Sequence, residues 1–346
     1  MKTGLSLDDI LLEPQYSDIE SRLDVDLKTA FTKHWMVEMP IVSTAMPTIT
    51  GETMMKVMSL YGGVGMLHRF MSTEEQIQII NTLKHDPEQH ISPIVAAVGV
   101  GKEELKRAKQ LIDNGIEVIF IDIAHGHSKM MLNQIKAIKE YSSKVDILAG
   151  NVATYEGTKD LIEAGADGVR VGIGGGYACS TRLVTGAGVP NLTSLINAVE
   201  ARNKYLKLTG KYIPIMMDGG IHSSGCITKS LAFGADTISL GYMLSGVDEN
   251  PGEVIKKNGE GSFKKYYGQS SKDAMENHKG LKKGIAPEGY SKLVPYRGSV
   301  KPILEELIGG VKSGLTYSGA KNIVELRKKK ETILLSNASL YESKLR

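Results

Sequence analysis

The chain has 346 residues, 41% of them hydrophobic and 23% charged, with a formal net charge of +3. That balance suits a folded chain and excludes a disordered or collagen-like one, and so small a charge gives no electrostatic footing for nucleic acid. No apolar run approaches the ~18 residues of a membrane span, and the acidic, broken opening MKTGLSLDDILLEPQYSD is no secretory leader. The two cysteines, Cys179 and Cys226, make no disulfide framework, which fits a reducing compartment such as the cytoplasm. The length admits two domains, but a single α/β barrel also reaches this size.

Short apolar, β-branched runs recur along the chain: PIVSTAM (40–46), GVGML (63–67), PIVAAV (93–98), EVIFI (117–121), VDILA (145–149), DGVRV (167–171), YIPIMM (212–217) and DTISL (236–240). Most are continuous rather than alternating, as expected of parallel strands covered on both faces. Between them lie helical patterns. EELKRAKQLIDNG ends on Gly115, a stop signal, and KMMLNQIKAIKEY repeats apolar residues at three- and four-residue steps. Met54, Met55 and Met58 read as core filling on a helix. Strand and helix in alternation predict a single α/β domain over 1–346, a (β/α)8 TIM barrel. An open doubly wound sheet is the alternative, but no G-x-G-x-x-G fingerprint follows the first strand. Two stretches break the rhythm: a Gly-rich loop at 172–190 and a long insertion at 241–300. Both follow strand C-termini, the face on which barrel enzymes build their sites. The basic run Arg327 to Lys330 reads as a solvated helix face.

Within 172–190, Gly172, Gly174, Gly175 and Gly176 permit tight turns that present backbone groups to a ligand or ion. Cys179 follows, with Ser180, Thr181 and Arg182 beside it. It reads either as a nucleophile activated by a nearby cation or as a small packed side chain. Gly219 and Gly220 end strand seven and Gly241 ends strand eight. Barrels commonly bind phosphate there, although the glycines could simply close turns. Asp218 could accept hydrogen bonds from a sugar diol. His125 and His127 have metal-pair spacing but lack further ligands, and Asp122 at the strand end is the better ligand contact. Cys226 reads as a packed residue.

Taken together, these segments resemble the IMP dehydrogenase/GMP reductase family over nearly the whole chain. The carrying motifs are LSLDDILLEP (5–14), AGNVAT (149–154), EAGADGVRVGIG (163–174), ACSTR (178–182), DGGI (218–221) and the run 293–320. Dehydrogenases of the family usually insert CBS modules between the second helix and third strand, and HDPEQHISP leaves no room for them. They also need a flap Arg-Tyr pair to activate water, and AMENHKGLKKGIAPEG (274–289) has none. YYGQSSKDAM (266–275) and the stretch 185–190 look like the reductase form, whereas IDIAHGHS (121–128) looks more like a dehydrogenase.

The resemblance therefore implies an NADPH-dependent GMP reductase. Cys179 would attack C2 of the purine, and Thr181 and Glu288 would handle the proton that the departing amine needs. Ser43, Met46, Asp218, Gly219, Gly220, Gly241, Tyr242, Gly268, Gln269, Ser270 and Gly289 match nucleotide contacts. Arg69, at a usual Lys, matches a cofactor contact with Asp122 and Ala124, and Ser21 and Arg22 match one made from a neighbouring subunit, implying a homotetramer. The carbonyls of Gly174, Gly176 and Cys179 match a monovalent cation site, typically K+. The partners implied are a purine nucleotide and further copies of the chain, with no nucleic acid and no membrane. Besides Arg69, four positions around the nucleotide depart from the family pattern. Tyr177 replaces a Ser that touches the nucleotide phosphate, Pro47 replaces an Asp, Gln269 replaces a Met under the base, and Tyr242 is large for its place. An NAD-dependent IMP dehydrogenase without CBS modules and a silent purine-binding barrel are the competing readings.

Overall fold

The computed structural model describes residues 2–274 and 286–342. Eight parallel strands close into a barrel: β1 (Ile41–Ser43), β2 (Val64–Leu67), β3 (Val95–Val98), β4 (Val118–Asp122), β5 (Asp146–Val152), β6 (Gly168–Val171), β7 (Ile215–Asp218) and β8 (Thr237–Leu240). Each lies in or overlaps one of the apolar runs. Sequential strands are neighbours, and β8 pairs with β1 in the register Ile238↔Ile41 and Leu240↔Ser43 to close the ring. The open-sheet alternative is thereby excluded.

Helices α1 (Glu52–Leu60), α2 (Thr73–Lys84), α3 (Lys102–Asp113), α4 (Lys129–Tyr141) and α5 (Tyr155–Ala164) follow the first five strands. After β6 come a short α6 (Thr181–Thr185) and α7 (Asn191–Thr209), then α8 (Ser224–Ala232) after β7 and α9 (Lys301–Tyr317) after the insertion. Local chemistry sets their ends. Ser72 and Glu75 form a reciprocal capping box on α2. Past α3, Gly115 adopts the positive φ expected of a helix stop. Met54, Met55 and Met58 are buried on α1 as expected.

Among the described residues, two of three apolar clusters build the barrel. Val42, Met66, Ala97, Phe120, Leu148 and Met216 pack inside the barrel. A larger layer, including Ile41, Ile119, Ile147 and Ile238, fills the space between strands and helices. A hairpin of Thr29–Thr32 and Trp35–Val37, not read from the sequence, contributes fully buried Phe31 to the inner core.

The two rhythm-breaking stretches hold more order than a loop reading predicts. Residues 172–190 contain α6 and an isolated bridge between Ile173 and Val189. The insertion carries a three-stranded antiparallel sheet of β9 (Ile255–Lys257), β10 (Gly261–Tyr267) and β11 (Ser291–Pro295). Lys264 of β10 is buried, with its ammonium donating to the carbonyls of Val247 (3.0 Å) and Asn250 (2.7 Å), and burial pushes its pKa down. Arg327 is likewise not merely a solvated cation, since it pairs with buried Asp236 at 2.8 Å. Among the described residues, no helix is long and apolar enough to cross a membrane.

Candidate active site

A cleft of about 500 Å³ opens at the C-terminal end of the barrel strands, between the loops after β6, β7 and β8 and the returning flap. Its floor is polar. Arg170, the one charged residue of β6, points into the barrel mouth and is buried. It pairs with Asp218 at 2.9 Å and Asp122 at 3.4 Å, and donates to Thr44 (2.6 Å), Asn151 (3.3 Å) and Ser239 (3.2 Å). A buried guanidinium needs such a set of acceptors. Asn151 also donates to Asp218 at 2.8 Å, so this carboxylate is held from two sides while lining the cleft. Burial pushes the Asp122 carboxyl above its ordinary range, against the opposing pull of Arg170 and Arg69.

One wall carries the reactive groups. Cys179 Sγ donates to Thr181 Oγ1 at 3.2 Å, and Thr181 Oγ1 donates to Glu288 Oε2 at 2.8 Å. Backbone pairing creates this line across a long stretch of chain. Ser180 N–H donates to the Glu288 carbonyl and Tyr290 N–H to the Ala178 carbonyl, each at 2.9 Å, and Cys179 bridges Gly289. The Glu288 N–H donates to the Ser270 carbonyl at 2.9 Å, tying in the outgoing flap segment as well. Glycine is required where β6 meets β7: Gly172 has φ +139, and a Cβ there would stand 2.1 Å from the Asp218 carbonyl oxygen. Gln269 Nε2 donates to Asp122 Oδ2 at 2.6 Å and to the Ala45 carbonyl, pinning the flap onto the barrel mouth.

The opposite end is aromatic. The rings of Tyr177 and Tyr242 stack with centroids 3.6 Å apart and planes 19° apart, and Tyr266 meets Tyr242 edge-on at 5.7 Å. A hydrogen bond shared with Tyr177 that holds the neutral phenol raises Tyr242 above its ordinary pKa, and burial raises that of Tyr266. Lys292 Nζ lies 4.8 Å from the Tyr177 ring centre.

The cleft therefore gathers Cys179, Thr181, Glu288, Met46, Asp218, Gly219, Gly220, Gly241, Tyr242, Gly268, Gln269 and Ser270, together with Arg69, Asp122 and Ala124. Arg69 Nε, like Arg170 Nε, is buried with no hydrogen-bond partner among the described residues. Gly289 lies in the ladder behind Cys179. Ser43 does not reach the cleft: it is fully buried and accepts from Thr50 Oγ1 at 2.9 Å, while its neighbour Thr44 faces the opening. Ser21 and Arg22 do not line this cleft either. Ser21 caps a short turn, its hydroxyl accepting from Leu23 N–H at 3.2 Å. His127 pairs with Asp160 at 2.9 Å, and neither His125 nor His127 belongs to a metal-holding group among the described residues. Cys226 is buried. Of the three carbonyls expected to hold a cation, that of Gly176 accepts from Cys179 N–H at 3.0 Å. The flap stretch 275–285 lies outside the described residues.

Sequence reading missed Arg170, Asn151, Thr44 and Tyr266. A single Arg within the apolar run DGVRV was the available signal for the first.

The model of the IMP dehydrogenase / GMP reductase domain matches residues 4–346. An inosine-5'-monophosphate dehydrogenase of Cryptosporidium parvum is 36% identical, over 98% of this chain and 94% of its own. A GMP reductase of Leishmania donovani is 30% identical, over 98% of this chain and 96% of its own. A crystal structure of a GMP reductase from Trypanosoma brucei in complex with guanosine 5'-monophosphate superposes with a TM-score of 0.92 at 28% identity, over 100% of this chain and 98% of that one. With relatives of both names matching across the full barrel, and a lone cysteine beside a Thr–Glu pair at its mouth, this chain belongs to the IMP dehydrogenase/GMP reductase family, nicotinamide-dependent oxidoreductases of purine nucleotide interconversion.

Proposed function

We propose that the chain is an NADPH-dependent GMP reductase, converting a guanine ring to hypoxanthine with release of ammonia. The observation that carries this reading is the line Cys179–Thr181–Glu288. As a thiolate, Cys179 adds to C2 of the purine. The exocyclic amine is a poor leaving group until protonated, so the reaction needs a general acid at that nitrogen. Glu288 can hold a proton and pass it through the Thr181 hydroxyl. The C2–N bond then breaks, ammonia departs, and a thioimidate joins Sγ to C2. NADPH, which Arg69, Asp122 and Ala124 would hold, would supply the hydride that C2 needs. Cleavage of the C–S bond then returns the Cys179 thiolate and frees the product. The net change consumes the guanine compound, NADPH and two protons, and yields the hypoxanthine compound, NADP+ and ammonium.

Asp218, fixed by Arg170 and Asn151, orients the sugar. Arg69 serves the cofactor together with Asp122 and Ala124. The neutral carbonyls of Gly174, Gly176 and Cys179 suit a singly charged ion such as K+. Ser21 and Arg22, outside their own cleft, are free to serve a neighbour's in a homotetramer.

The dehydrogenase reading requires hydrolysis of the thioimidate. Residues 274–289 contain no Arg-Tyr pair to activate water, which favours reductase. In its favour stand the likeness of IDIAHGHS to dehydrogenases and the higher identity of a matching dehydrogenase, 36% against 30% for a matching GMP reductase. The two separate in one assay with potassium present. The reductase predicts NADPH loss with equal ammonia release on adding GMP. NADH formation from IMP and NAD, with no NADPH loss, would establish the dehydrogenase.

A further inference from the structure

We propose that the Tyr177–Tyr242 stack closes the end of the cleft where a nucleotide's 5'-phosphate would lie, so that the chain acts on a purine nucleoside in preference to its 5'-phosphate. This rests on the reductase reading for its chemistry, but its geometry is independent of the direction of hydride transfer.

The first argument is position. Barrel enzymes commonly seat phosphates on the loops after strands seven and eight. Here those loops are Gly219-Gly220 and Gly241-Tyr242, and the cysteine loop closes over them, with a Cβ on Gly219 only 3.0 Å from the Gly176 nitrogen. Tyr177 directly follows Gly176 and Tyr242 directly follows Gly241. The two tyrosines thus emerge from the two sides of the expected phosphate seat and meet across it.

The second argument is space. A centroid separation of 3.6 Å is ring-on-ring contact and admits no atom between the faces. Tyr266 braces the pair from its edge, so the group is a three-ring cluster rather than one stray side chain.

The third argument is charge. The two arginines that line the cleft both act on its floor carboxylates: Arg170 pairs with Asp122 and Asp218, and Arg69 draws on Asp122. His222 shares a hydrogen bond with Asp8 at 2.8 Å. Lys292 Nζ lies 4.8 Å from the Tyr177 ring centre, a cation–π contact. A phosphate dianion entering here would meet ring faces and phenols, whereas a neutral 5'-hydroxyl would find phenolic hydrogen-bond partners.

The Cys179–Thr181–Glu288 line and the Asp218 carboxylate still face the open cleft, and Gln269, the departure under the base, donates to Asp122 rather than joining the ring stack.

The test compares guanosine with GMP, both by equilibrium dissociation constant without cofactor and by kcat/KM with NADPH. The wild type should favour guanosine by about tenfold or more. Tyr177→Ser/Tyr242→Ser should reverse that preference, and Tyr177→Phe/Tyr242→Phe, which keeps the rings, should retain it. If the double serine variant does not fold, Tyr177→Ser alone, at a half-exposed position, should still shift the ratio toward GMP. Tighter binding of GMP than guanosine by the wild type would overturn the proposal, as would a ratio unmoved by removing the rings. If neither compound is turned over, the reductase reading fails, while the ratio of dissociation constants still decides the closed phosphate end.

Discussion

The two ends of the cleft differ in kind. At the cysteine end, three polar side chains from two distant segments line up at hydrogen-bond distance, held by a backbone ladder between the loop after β6 and the returning flap. At the other end, two aromatic side chains occupy the place that barrel geometry reserves for an anion. In the proposed reaction the thiolate must meet one carbon and the relay its amine within tenths of an ångström, so chemistry constrains that end tightly. The far end supplies only binding energy, and bulk there can change which molecule is held without touching the reaction.

The largest effect expected from disturbing this contrast is at Cys179. Cys179→Ala should cut turnover by more than about 10⁴-fold while leaving nucleoside and nucleotide dissociation constants nearly unchanged, since the nucleophile acts after binding. Surviving turnover would remove the covalent route. Next comes Glu288→Gln, expected to slow ammonia release by about 10²- to 10⁴-fold, the usual worth of a general acid, with far less effect on hydride transfer. Single-turnover measurement of ammonia and NADPH separates the steps, and equal slowing of both would reject the relay.

Arg170→Met addresses the floor that both ends share. It strands Asp122 and Asp218 without their countercharge and should cost about 3–5 kcal/mol in urea unfolding. A cost under about 1 kcal/mol would show that water or other donors replace the guanidinium. The smallest change expected is Gln269→Ala. Losing the charge-assisted bond to Asp122 should raise KM about tenfold with little change in kcat, because the flap is loosened rather than the chemistry. A fall in kcat with KM unchanged would place Gln269 in the reaction instead.

The barrel was legible because parallel strands buried on both faces leave unbroken apolar runs, as in EVIFI and VDILA. The flap sheet was not, since β9 is exposed throughout and β10 reads GSFKKYY, with lysines where a core strand would be apolar. The hairpin that plugs the barrel was hidden by its brevity. Cys179, Thr181 and Glu288 could be named from motif likeness, but their alignment needed the ladder between residues far apart in sequence. Ser43 was misjudged by one position. On a strand, neighbours face opposite ways, and Thr44 takes the cleft side. Tyr177 and Tyr242 each stood out as a departure; that they stack on one another is a property of the fold alone.

The most direct test of the account is to follow NADPH and ammonia together, with purified protein and potassium, on adding guanosine and, separately, GMP. The account predicts NADPH loss matched one to one by ammonia, faster with guanosine. Silence with both, alongside NADH formation from IMP and NAD, would contradict it.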